Sequence, residues 1–128
     1  MNIKISVGEA LDRLSILQIK LVEVKNEEKL INIEKEYNYL KELIDAELGF
    51  ENVDASYRDL FHVNYKLWKV EDELRVCESK EEFDANFIKL ARSVYYINDE
   101  RAEIKKNINI QQKSEFIEEK SYVNYKKS

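Results

Sequence analysis

Side chains able to carry chemistry are few and scattered in this chain. Histidine occurs once, as His62, and cysteine once, as Cys77, so a thiolate metal cage and an internal disulfide are both excluded. Cys77 falls among apolar residues at helical spacing and on a different face from His62, which predicts a small buried hydrophobe rather than a nucleophile. Carboxylates are more plentiful. Glu42 and Asp45 match one half of the paired-helix pattern with which all-helical nucleotide hydrolases hold Mg²⁺, but Glu71, Asp72 and Glu73 are adjacent instead of a turn apart. With one histidine the Glu-x-x-His pairs of di-iron bundles are unavailable, and with Gly8 and Gly49 as the only glycines there is no phosphate-cradling loop. No catalytic nucleophile, metal site or cofactor is expected.

Charges written into apolar stripes remain as candidates. Arg13, Lys20, Arg75 and Arg101, with Gln18 inside the apolar arc of the first helix, resemble in style the inward cations of small chorismate-mutase-like bundles. Those work by positioning and electrostatics alone. Counting levels at about 1.5 Å per helical residue puts Gln18 and Lys20 near Glu71 and Asp72. The same count puts Asn98 and Arg101 near Glu9 and the end of the second helix, with Asp12 also within reach of the Arg101 side chain, and Asp99 is a further candidate for that layer. Such polar layers either pair to select one helix register or line a pocket for an anionic or hydroxylated ligand.

Four apolar stripes must position these residues. Val7, Ala10, Leu11, Leu14, Leu17, Leu21 and Val24 predict a helix over 7–24, opened by a Ser6/Glu9 capping box. Ile3 and Ile5 precede it as a short extended arm. A second stripe from Leu30 to Leu48 predicts a helix over 27–48 closed by Gly49. After a loop over 50–56, capped by Asp54 or Ser56, Leu60, Val63, Leu67, Val70, Leu74 and Cys77 predict a third helix over 57–78. Ser79 and Glu82 repeat the capping-box pattern, so a fourth helix is expected over 80–109, with Arg101 as the one charge in its seam. The expected fold is all-α: an antiparallel up-down four-helix bundle, one domain over 1–128, with a tail over 110–128. Phe116, Ile117, Tyr122 and Tyr125 make that tail apolar enough to dock, and burying two of them would contribute roughly 3–5 kcal/mol. Ile16 and Ile19 fall opposite the main stripe of the first helix, which predicts an interface to a second copy or another protein.

Composition agrees. Residues are 44% hydrophobic and 37% charged, with no proline and two glycines, a balance that suits long helices with solvated outer faces and disfavours sheets. A net charge of −5 argues against nucleic acid as a partner, and the basic run from Lys120 to Lys127 is read as solvated. No apolar run reaches membrane-spanning or signal-peptide length, so no membrane insertion and a cytoplasmic location are expected.

Several segments carry a resemblance in their order along the chain: Ile5-Ser6-Val7-Gly8-Glu9, Asp12-Arg13-Leu14-Ser15-Ile16-Leu17, Ile19-Lys20, Leu67-Trp68, Glu71-Asp72, Leu90-Ala91-Arg92-Ser93-Val94-Tyr95, Asn98-Asp99, Arg101-Ala102 and Glu118-Glu119-Lys120-Ser121-Tyr122. The chain resembles a family of short, uncharacterised bacterial helical proteins associated with surface-polysaccharide and lipopolysaccharide gene neighbourhoods. It departs from that family at Val7, where proline is expected. The resemblance implies a bacterial cytoplasmic setting and a tail that belongs to the fold, and it implies no reaction. Together these observations predict a non-enzymatic, self-associating accessory protein of an envelope-polysaccharide pathway. The alternative is a small bundle enzyme or sensor with a cationic pocket for a small anionic ligand.

Overall fold

A computed structural model describes residues 1–126; the last two residues of the expected tail, Lys127 and Ser128, lie outside them. Four helices follow one another: α1 (Val7–Glu23), α2 (Glu27–Leu48), α3 (Asp54–Ser79) and α4 (Ala85–Gln111), with a single 3₁₀ turn at Phe50–Asn52. The fold is an all-α four-helix bundle, as the stripes require, and no strand occurs among the described residues. Its two halves are αα-hairpins. Asn26 caps α2 directly after α1 through its Oδ1, which accepts from the amide of Lys29 at 3.0 Å. The second hairpin pairs α3 and α4 in opposite directions, with Lys66 beside Glu100 across the interface.

α1 is the hub. Its backbone approaches all three other helices, whereas α2 approaches only α1 among them. A helix used on several sides must be buried on several sides. Leu11 and Leu14, fully buried, join Ile44, Leu60, Val63, Ile97 and Ile108 in the core. A second line at helical spacing, Gly8, Asp12, Ser15 and Ile19, is equally buried. The expected interface strip therefore needs correction: Ile19 is 1% exposed within the chain itself, and only Ile16 stays partly open.

Helix boundaries differ from the sequence expectation where caps compete. α3 begins at Asp54 rather than 57, behind a 3₁₀ turn whose Phe50 packs edge-on to Tyr57 at 5.2 Å. The Ser79/Glu82 box does not form, because Ser79 Oγ turns back to donate to the carbonyl of Val76 at 2.8 Å. α3 instead ends in a Schellman-type reversal. Glu81 takes φ +56° while the amide of Glu82 bonds the carbonyl of Cys77 and that of Glu81 the carbonyl of Glu78. α4 then waits for Asp84, whose Oδ1 accepts from the amide of Phe87. It runs on to Gln111 and closes in the same way. Lys113 has φ +53°, and the amide of Ser114 reaches the carbonyl of Asn109 at 2.8 Å.

That second reversal sends the tail back along α4. Glu118 meets Lys105, Glu119 meets Lys106, and the hydroxyl of Tyr125 donates to Asp99. Lys4 in the N-terminal arm pairs with Glu115. The tail is docked, but by charge and one tyrosine. Phe116 and Ile117 remain 50% and 41% exposed and Tyr122 67%, so the apolar burial expected for them is absent. Exposed ion pairs contribute only about 0–1 kcal/mol each. Removing residues 115–128 is therefore expected to lower stability by about 1–2 kcal/mol, well short of the value expected from apolar docking. A urea melt that loses the larger amount would show that Phe116 and Ile117 are buried in solution.

Candidate functional site

Asp12 stands at the junction of three helices, and its carboxylate is 1% exposed. Arg101 of α4 grips it with two N–H groups, Nε at 2.9 Å from Oδ1 and Nη2 on Oδ2. Asn64 of α3 donates through Nδ2 to the same Oδ1 at 2.8 Å and to Ser15 Oγ at 2.7 Å. Ser15 Oγ in turn donates to the backbone carbonyl of Asp12 at 2.7 Å. Lys105, one turn beyond Arg101, stands 3.7 Å from Oδ2 and binds Glu9 at 2.7 Å. Glu9 also takes Arg13 at 3.0 Å. Burial by itself would raise the pKa of Asp12, but the hydrogen bonds from Arg101 and Asn64 outweigh it and hold the carboxyl below its ordinary value. Glu9 is lowered likewise, with Lys105 and Arg13 overcoming burial. The guanidinium of Arg101 is raised, chiefly by its hydrogen bonds to Asp12.

A tight seam beside this cluster sets the spacing of α1 and α4. The amide of Gly8 donates to Asn109 Oδ1 at 2.7 Å, and that of Val7 donates to Ser114 Oγ at 2.9 Å. A Cβ on Gly8 would lie 2.6 Å from the backbone carbonyl of Lys105, so only glycine permits this approach. With Ser6 Oγ accepting from Glu9, the first amides of α1 are satisfied. Glu9 does not complete the capping box, because its carboxylate is engaged by Lys105 and Arg13.

Above Arg101 the returning tail leaves a cleft. From Glu118 to Tyr125 an extended chain can cover roughly 23 Å, while the α4 residues it meets, Lys105 and Asp99, are separated by about 9 Å of helix. The tail has length to spare, and between it and α4 lies a cleft of about 560 Å³. Small and apolar residues floor it, namely Ala91, Val94 and Ala102. Asn98, Asp99, Arg101 and Lys105 rise from α4, and Lys120, Tyr122 and Tyr125 close it from the tail. Tyr125 packs edge-on against Tyr95 at 5.0 Å and Tyr96 at 4.9 Å. Its bond to Asp99 pushes its phenol up to about 12.

The expected candidates thus divide. Glu9, Asp12, Arg13, Asn98, Asp99 and Arg101 come together at one end of the bundle. Gln18 and Lys20 do not meet Glu71 and Asp72, contrary to the level count. Gln18 accepts from the hydroxyl of Tyr57, a phenol raised in pKa by burial, and Lys20 lines a groove beside the N-terminal arm. Glu71 and Arg75 share a shallow surface groove with Phe87, and Asp72 is exposed. The count failed because it assumed helices running side by side. The side-chain hydrogen bonds between α1 residues 12 to 23 and α3 all fall on the short α3 stretch from Tyr57 to Tyr65, so α1 crosses α3. Sequence reasoning missed Lys105, Asn64, Asn109 and Gly8. Lys105 had a usable signal, one turn from Arg101 just as Glu9 is about one turn from Asp12. Asn64 and Asn109 sit in apolar surroundings without any such pattern.

The chain matches a protein family described as a family of unknown function, DUF6165, over residues 1–127. It belongs to the DUF6165 family. No curated protein and no solved structure matches it. In this DUF6165 chain no three His, Cys, Asp or Glu side chains gather in metal-binding geometry among the described residues, and no helix among them is long and apolar enough to cross a membrane.

The Asp12 cluster makes a signed prediction. Arg101→Ala leaves a buried carboxylate with Asn64 and a more distant Lys105, which should cost about 3 kcal/mol at pH 7. In the wild type, Asp12 contributes stability above its unfolded pKa and loses it as pH falls through the lower folded value. In the variant the folded pKa rises above the unfolded one, so the deficit should shrink as pH falls from about 7 to about 4. Urea melts across that range check both signs. An Arg101→Leu variant more stable than wild type would show that the pair is not holding the fold.

Proposed function

We propose that this chain is a non-enzymatic binding module, an accessory protein whose recognition surface is the cleft between α4 and the C-terminal tail. One observation carries the reading. Asp12, itself almost inaccessible, holds Arg101 from behind while the guanidinium lines the cleft with its side chain 27% exposed. A charged group fixed in this way is pre-organised to recognise rather than to react, since its proton is held more firmly and its orientation is locked. Cytoplasmic service in a bacterial envelope-polysaccharide pathway, which the family resemblance implies, fits a module of this kind. The alternative of a free cationic pocket is weakened by pairing: Arg101 is engaged by Asp12, and Lys105 by Glu9 and Glu118.

Incubating the protein with a small-molecule extract and following its amide resonances tests this reading. A compound that shifts residues 94–105 and is recovered chemically unchanged is the expected result. Turnover of the bound compound would replace the module by an enzyme, and silence of those resonances would place recognition elsewhere.

Self-association belongs to the same proposal but to a different surface. The groove around Ile16 runs between α1, α2 and the N-terminal arm, and its walls include Ile3, Tyr39 and Leu43, all substantially exposed. Light scattering should find an oligomer that Ile16→Glu reduces to a folded monomer. A wild type already monomeric at high concentration would remove this part of the proposal.

A further inference from the structure

We infer that the α4–tail cleft binds a neutral, polyhydroxylated ring, a single saccharide unit, an assignment that rests on the cleft being the recognition surface. Charge balance selects this class. The three cations around the cleft, Arg101, Lys105 and Lys120, meet three carboxylates, Asp12, Glu9 and Glu118, in one network of ion pairs, and a fourth carboxylate, Asp99, lines the cleft beside them, bonded to the hydroxyl of Tyr125. A phosphate or carboxylate ligand would find no uncompensated positive charge and would have to displace Glu118 to reach Lys105. A plain apolar ligand would cover the amide of Asn98 and the outer edge of Arg101, which meet each other only at 3.5 Å, at a desolvation cost.

What the cleft does offer is amphipathic. Tyr95 and Tyr125, fixed edge-to-face and anchored by the bond from Tyr125 to Asp99, form a rigid aromatic corner at one end. Such a surface suits the C–H face of a sugar ring, which is apolar although its rim is polar. Along the neighbouring turn of α4, Asn98, Asp99 and Arg101 supply a planar amide, a carboxylate and a planar guanidinium. Planar groups of this kind hydrogen-bond adjacent hydroxyls two at a time. Arg101 has capacity to spare, since its Nη1 meets Asn98 Oδ1 only at 3.5 Å. Ala91, Val94 and Ala102 keep the floor low beneath these groups, and a volume of about 560 Å³ lies within the roughly 300–1,000 Å³ of small-molecule sites.

The test is a titration of the full chain followed by amide resonances, using methyl glycosides of glucose, galactose and N-acetylglucosamine, with glucuronate and inorganic phosphate as anionic probes. A neutral glycoside should shift residues 94–102 and Tyr125. Its affinity should be unchanged between about 50 and about 300 mM salt, and Asn98→Ala or Tyr125→Ala should weaken it by about tenfold or more while the melting midpoint moves little. Binding confined to glucuronate or phosphate, and weakened by salt, would overturn the neutral-saccharide assignment and leave the binding-module reading standing. Shifts caused by none of the five probes would overturn it too, and the extract experiment would then decide whether the cleft recognises anything.

Discussion

A carboxylate with almost no access to water is the constraint around which this molecule is arranged. Burying Asp12 would cost several kcal/mol if it were left alone, so the fold must bring donors to it from two other helices at once: Arg101 and, more distantly, Lys105 from α4, and Asn64 from α3. Meeting that demand sets the register of α1 against both. It also explains why α1 carries two buried lines rather than one. Leu11 and Leu14 serve the apolar core, while Gly8, Asp12 and Ser15 provide small or polar positions where α4 and α3 come close. An apolar stripe alone would tolerate sliding by a turn, whereas a bidentate ion pair with a buried member tolerates none.

The same arrangement shapes the surface above it. Because the guanidinium of Arg101 is tied to Asp12, its outer edge has a fixed place in the cleft, and the tail meets a pre-formed wall. The reversal at Lys113 and Ser114 fixes where the tail starts, through the Ser114 hydroxyl that both accepts from the amide of Val7 and donates to Asn109. Beyond that anchor, side chains on an extended segment hold the tail. Its attachments are the ion pairs of Glu115, Glu118 and Glu119 at one end and an aromatic corner at the other, with more chain between them than the helix beneath requires. The cleft is a consequence of that surplus length.

How much was legible in advance follows from which forces are local. Helical periodicity, the cap at Ser6 and the stop at Gly49 are set by neighbours within a turn or two, so the four helices and the all-α class could be read from spacing. Arg101 also stood out, as a charge in an apolar seam, and Asp12 was among the partners within its reach. Local competition defeated the reading at Ser79, whose hydroxyl has two plausible partners a turn apart and takes the carbonyl of Val76. At the tail, composition suggested apolar docking, yet Phe116 and Ile117 stay exposed, and Glu118, Glu119 and Tyr125 hold it instead.

By itself the sequence determined the helices, their approximate limits and the fact that polar groups would have to be placed inside the bundle, because each of these depends on residue types at short separation. Only the tertiary structure decided which groups meet. That α1 crosses α3, parting Gln18 and Lys20 from Glu71 and Asp72, depends on how side chains of different size interlock over the whole interface. That Lys105, Asn64 and Asn109 complete the cluster depends on contacts between residues far apart in the chain. The cleft belongs to neither α4 nor the tail alone, and it exists because two segments of unequal length are fastened at both ends.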